Sequence, residues 1–175
     1  MDARTYPVGK GGSKPVYNKT TGVLEFFNSS GDVIYALDPA TKEVFGGGVV
    51  NYVKKRFTVA EVNAGDTILA ARPGYKYRMI DCSMAAEGGA AATATSVEVS
   101  ATQGAASVDL VSNTVGILTD DALVRMGITN STLLANGAWA DANDANTAIT
   151  ISKTGDALAT ATHINVYMTY VIEAA

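Results

Sequence analysis

The chain is poor in the residues that most often carry chemistry. It has one cysteine, one histidine and one tryptophan among 175 residues. A lone Cys82 excludes an intrachain disulfide. One Cys and one His cannot assemble the clustered ligand set of a zinc centre. A nucleophilic triad would have to recruit His163, which sits at the start of an alternating segment, on its polar side, where an exposed strand-end residue is expected. Cys82 falls on the apolar side of its segment and is expected to be a small, inert, buried hydrophobe. No apolar run approaches the ~18 residues of a membrane span. The opening residues MDARTYPVGKGG lack the apolar core of a secretory signal, so synthesis in the cytoplasm and no membrane segment are expected. Charged residues are scarce as well, at 17% against a usual share of about 25%.

Hydrophobic residues reach 47%, but 28 residues are alanine, many of them in loop-like runs such as 87–95. The core must therefore come from scattered Val, Ile, Leu, Met, Phe and Tyr. Charge is uneven: residues 1–56 hold 8 Lys/Arg against 5 Asp/Glu, and residues 57–175 hold 5 against 12. Such asymmetry suggests two surfaces with different partners.

Three segments follow from the pattern. Residues 1–22 are rich in Gly, Pro and Lys without apolar period, and read as an extended arm ordered only where it lies on something. Residues 23–48 hold two strands, 23–27 and 33–37, joined by a turn with Gly31 and followed by a turn begun by Asp38-Pro39. A third short strand is expected at 43–45, before Gly46-Gly47-Gly48. The hairpin is apolar on both faces and needs cover from a partner or from the main domain. Residues 57–175 read as an antiparallel β-sandwich or jelly-roll-like barrel. The clearest strand is the last, with Ile164, Val166, Met168, Tyr170 and Ile172 on one side, and Tyr167 and Val171 on the other. Arg78, Ile80, Cys82 and Met84 are assigned to one side of another strand. Residues 57–62 and 67–71 read as weaker strands around an Asn63–Asp66 turn. One short helix is expected from a Thr119 cap, with Asp120 and Asp121 in its first turn and Gly127 beyond its end. A second helical turn is expected at 130–136. The fold class is all-β with one or two short helices.

Motifs that carry chemistry are scarce. The 141–146 segment DANDAN departs from an EF-hand, with no glycine at the sixth position and Ser152 where a bidentate Glu belongs, so a surface turn is expected. The 8–14 segment VGKGGSK lacks phosphate-loop spacing and context. The carboxylate pairs Asp120/Asp121 and Asp141/Asp144 lack the apolar surroundings that would split their pKa values. No cofactor, metal or catalytic residue is assigned. Trp139 lies in a loop as either a tucked anchor or a contact residue. Lys54-Lys55-Arg56 and the arm lysines could touch nucleic acid; an acidic pI of about 4.9 and sparse aromatic interleaving stand against it, docking on an acidic protein surface explains them equally well, and no nucleic-acid partner is assigned.

Thr21-Gly22, the strand 23–27, Ser30-Gly31-Asp32, the strand 33–37 and Asp38-Pro39 together resemble the N-terminal modules of tailed-phage virion proteins. The Ala/Thr/Gly-rich remainder resembles phage head decoration (cement) proteins. The resemblance implies a homotrimer on the outside of the head, bound to the major capsid protein and stabilising its lattice, with no enzymatic activity. The capsid-binding residues expected on this view are Lys10, Lys14, Leu24, Phe26, Phe27, Ile34, Lys54, Lys55 and Arg56, in a segment 1–56 without which the β-domain should still fold. Tyr167 and Val171 are the expected oligomer contacts, because a monomeric sandwich needs only one apolar face on its last strand. A fibre tip or receptor-binding module for a host glycan or protein is the alternative.

Overall fold

The computed structural model describes residues 15–27, 31, 33–46, 48–126, 131–133 (backbone) and 141–175. It is built from β1 (Pro15–Asn18), β2 (Val23–Phe27), β3 (Val33–Leu37), β4 (Val44–Phe45), β5 (Asn51–Thr58), α1 (Val59–Ala64), β6 (Asp66–Leu69), β7 (Tyr75–Glu87), β8 (Ala94–Gln103), β9 (Ala106–Thr114), β10 (Leu123–Arg125), β11 (Ser131–Leu133), β12 (Ile149–Gly155) and β13 (His163–Ala174). These strands form a small sheet in the order β1-β2-β3-β4 and two larger sheets, β10-β7-β13-β5 and β11-β9-β8-β12-β6, all antiparallel. The two larger sheets are open, which selects the sandwich over a closed barrel.

The sandwich core follows from side-chain alternation. Ile164, Val166, Met168, Tyr170 and Ile172 of β13 are all buried, as the sequence predicts. Val97 and Val99 of β8, Ile149 and Ile151 of β12 and Ile68 of β6 join them in one core. Strand β7 departs from its predicted faces. Its register against β13 jumps from Asp81 to Met79 between Thr169 and Tyr170, so Ile80 bulges out and is exposed. The bulge switches the inward face: Tyr77 and Met79 are buried before it, and Cys82, Met84 and Ala86 after it.

The hairpin reading holds for β2, β3 and β4, and the end of the arm forms β1 against β2. The first described helix is not where a helix was expected. Residues 59–62, expected in a strand, and 63–64, expected in the turn after it, form α1, because Thr58 and Glu61 close a capping box. The Thr58 hydroxyl accepts from the Glu61 amide and the Glu61 carboxylate accepts from the Thr58 amide. The helix expected after Thr119 is absent from the described residues. Asp121 takes a left-handed conformation (φ 56°), and Leu123–Arg125 become β10, which pairs with Ser83–Ala85 and buries Val124. In the 130–136 segment Ser131–Leu133 pair with β9 as a strand instead of forming a helical turn. Strand β5 begins at Asn51, so residues 51–56 lie within the sandwich sheet and pair with β13.

Candidate functional site

The small sheet has two unlike faces. Val23, Ala36 and Phe45 are buried toward the sandwich. The Phe45 ring lies 4.8 Å from the Tyr75 ring, and the Arg72 guanidinium sits 4.6 Å from the Phe45 centroid. On the other face, register places Tyr17, Leu24 and Leu37 in one row and Phe26 beside Tyr35 in the next. The Phe26 and Tyr35 rings stack at 4.2 Å. Tyr17 is 50% exposed and Tyr35 37% exposed, while Leu24 and Phe26 are half-buried. Phe27 is half-buried beyond the register shift, and Ile34 is exposed with the alternation parity of Ala36. Leu24 and Phe26 therefore share a face, and Ile34 lies on the other.

A polar cluster that the sequence did not disclose braces this sheet to the sandwich. Arg72 donates to Asp38 (2.7 Å) and to Glu43 (2.5 Å), and the Tyr170 hydroxyl donates to the other oxygen of Glu43 (2.5 Å). The Asp38-Pro39 turn supplies the geometry, since the Asp38 carboxylate accepts from the Ala40 and Thr41 amides. Burial alone would push the Asp38 carboxyl up. The Arg72 guanidinium and the two amides outweigh it and hold the group below its ordinary value. Burial, and then Glu43, push the Tyr170 phenol well above its usual range. Asn51 completes the brace, accepting from the Val44 amide (2.8 Å) and donating to the Val44 carbonyl (2.7 Å) like a missing strand. The glycine run supplies a close approach. Gly46 (φ 74°) donates to the Ile172 carbonyl, and an added Cβ would meet the Ile34 carbonyl oxygen at 3.2 Å. The segment from Asp38 to Asn51 is thus tied to residues 57–175 by side-chain and backbone hydrogen bonds.

Beside the cluster lies a cleft of about 480 Å³, lined by Asp38, Thr41 and Glu43, by Tyr52, Val53 and Lys55 of β5, by residues from Ile68 to Arg72, and by Thr21, Tyr77 and Tyr170.

The basic run on β5 does not form one patch. Lys54 lies over the Tyr167 ring, 5.3 Å from its centroid. Lys55, on the opposite side, donates to the Thr67 carbonyl and links the β5 and β6 edges. Arg56 makes two bonds to Glu87 (3.0 and 2.6 Å). That pairing, with Asn165 as a second donor, holds the Glu87 carboxyl down at about 2. Tyr167 and Val171 lie half-buried on the outer face of the β10-β7-β13-β5 sheet, as predicted, in register with Lys54 and Arg78. Tyr52 (61% exposed) and Leu123 extend that face. Lys10, Lys14, the 8–14 segment and Trp139 lie outside the described residues.

His163 is half-exposed and within 3.0 Å of the Thr162 hydroxyl. Cys82 is buried, its thiol pushed up to about 12 by burial. The 141–146 segment is a tied turn. Asp144 accepts from the Gly104 and Ala105 amides, and buried Asn143 accepts from Tyr77 and donates to Thr147. Among the described residues no cluster of His, Cys, Asp or Glu could hold a metal, and no helix is long and apolar enough to cross a membrane. Neither a protein-family model nor a curated protein sequence matches the chain.

Proposed function

We propose that this chain is a structural protein of a tailed-phage virion, a decoration protein that binds the outside of the major capsid lattice and stabilises the head. The observation that carries the reading is the open apolar face of the small sheet, Tyr17, Leu24, Phe26, Tyr35 and Leu37, held to the sandwich by Arg72. Exposed large apolar residues concentrate between Val16 and Tyr52. An apolar sheet face rimmed by polar residues gains free energy when a partner covers it. Because the brace fixes its orientation, docking costs little ordering entropy. Residues 15–45 are then the anchor, and the lysines of β5 contribute less than the sequence suggests, since Lys55 and Arg56 already have internal partners.

The outer face around Tyr167, Val171, Tyr52 and Leu123 supplies the contact for a homotrimer, which multiplies a weak anchor by effective concentration. The role is structural, not catalytic, in keeping with a buried Cys82 thiol and a His163 that meets only Thr162 among its hydrogen-bond partners in the described residues.

The test uses the full chain carrying Phe26→Ser and Tyr35→Ser together, with wild type, on undecorated heads. Wild type should saturate the heads. The double variant should keep the trimer by light scattering and lose attachment more than tenfold, the effect of removing a central aromatic pair. Equal saturation by both proteins, or no attachment by wild type, overturns the reading.

A further inference from the structure

We propose that the cleft between the small sheet and the β5 and β6 edges of the sandwich binds a neutral sugar, one hexose unit either free or at the end of a glycan. This goes beyond capsid docking, which needs no such site. The cleft's volume, about 480 Å³, falls within the range of small-molecule sites.

Its chemistry selects the ligand class. Two carboxylates, Asp38 and Glu43, are matched by two cations, Arg72 and Lys55, so no net charge rewards an anionic or a cationic ligand. Val53, Ile68 and Leu69 supply apolar lining, and the carboxylates and guanidinium supply polar lining. A pyranose has matching parts, a C–H face and a rim of hydroxyls that both donate and accept.

The acceptors are also part-used. A carboxylate offers about four lone-pair positions. Asp38 accepts from Ala40, Thr41 and Arg72, and Glu43 accepts from Arg72, Tyr170 and the Thr41 hydroxyl. Each keeps roughly one position for a ligand hydroxyl. These groups are locked before any ligand arrives, which removes part of the ordering cost of binding. An independent feature points the same way: the Thr21 hydroxyl, in the cleft lining, is buried without a hydrogen-bond partner among the described residues. An orphaned buried hydroxyl asks for a partner, and a sugar hydroxyl can both donate to it and accept from it.

The experiment is an amide chemical-shift titration of the full chain with methyl glycosides of glucose, galactose, mannose and N-acetylglucosamine, up to tens of millimolar. Sialic acid and glucosamine serve as charged comparisons. At least one neutral glycoside should give saturable shifts confined to 38–43, 52–55 and 68–72. An oligosaccharide ending in that sugar should bind more tightly if the natural source is a glycan, and equally if it is the free sugar. Thr21→Val should weaken binding about five- to tenfold, the loss of one hydrogen bond, without lowering the melting temperature. Ala71→Phe, at an exposed lining position, should abolish it. No saturable shift with any neutral glycoside, tighter binding of the charged sugars, or wild-type titrations from both variants would overturn the proposal.

Discussion

The Tyr170 hydroxyl donates to the Glu43 carboxylate at 2.5 Å, joining the last strand to the turn between β3 and β4 across 127 positions of chain. Arg72 closes the triangle from the β6–β7 connection. Three distant segments therefore share one half-buried network, and its parts depend on one another.

Arg72→Met should unfold at lower urea, by about 3 kcal/mol, because two carboxylates lose their cation in a poorly hydrated site. Tyr170→Phe removes one hydrogen bond to a charged acceptor and should cost about 1.5–3 kcal/mol. The double variant should cost less than the sum of the two, since both act on Glu43. Urea midpoints of the three proteins check this, and strict additivity would show that the network is not shared.

The pH dependence has two limbs of opposite sign. The Asp38 carboxyl is held below its ordinary value, so the folded chain binds that proton less tightly than the unfolded chain. Its stabilisation is full above the unfolded value of ~3.9 and drains away as pH falls through the lower folded value. The Tyr170 phenol is pushed up, so its contribution is full below the unfolded value of ~10 and is lost as pH rises through the higher folded one. Asp38→Asn should flatten the acid limb and Tyr170→Phe the alkaline limb. Urea midpoints over a pH series measure both.

The native Cys82 thiol should resist a thiol reagent until the chain unfolds, because burial keeps it protonated. Cys82→Ala should cost about 1 kcal/mol through lost packing. Labelling as fast in native buffer as in denaturant would contradict the burial.

Asn113 is buried on β9, and neither amide atom has a hydrogen-bond partner among the described residues. Exchanging it for an apolar residue removes an unmet polar group, so Asn113→Val should raise the melting temperature, by about 1 kcal/mol of added stability. A lowered melting temperature would show that the amide has a partner in solution.

Much of the strand framework was legible in the sequence, because alternation survives wherever one face is buried. The five inward residues of β13, and the strands 23–27 and 33–37, are examples. Alternation fails at Ile80 because one bulged residue switches the inward face, so Cys82 and Met84 lie inward as read while Arg78 and Ile80 do not, and no local signal marks it. The helix was misplaced for a different reason. Phe57, Val59 and Val62 favour strand by type, while the Thr58–Glu61 capping box overrides that preference and starts α1. At Thr119 a cap and two acids were present, but Val124 gains more as a buried strand residue. The candidate sites divide in the same way. Tyr167 and Val171 follow from period two, whereas the cluster of Asp38, Glu43, Arg72 and Tyr170 depends on pairings 29 to 127 residues apart.

Strand β5 ends its sheet, and its outer ladder positions are the kind that recruit a like strand from another copy. Three consecutive cations occupy it, steadied by Tyr167, Thr67 and Glu87. Any stack of copies along that edge would have to bring these charges into close file. The run that looks in the sequence like a grip on a partner therefore also guards this edge against strand addition, and neutralising it should show as aggregation on storage.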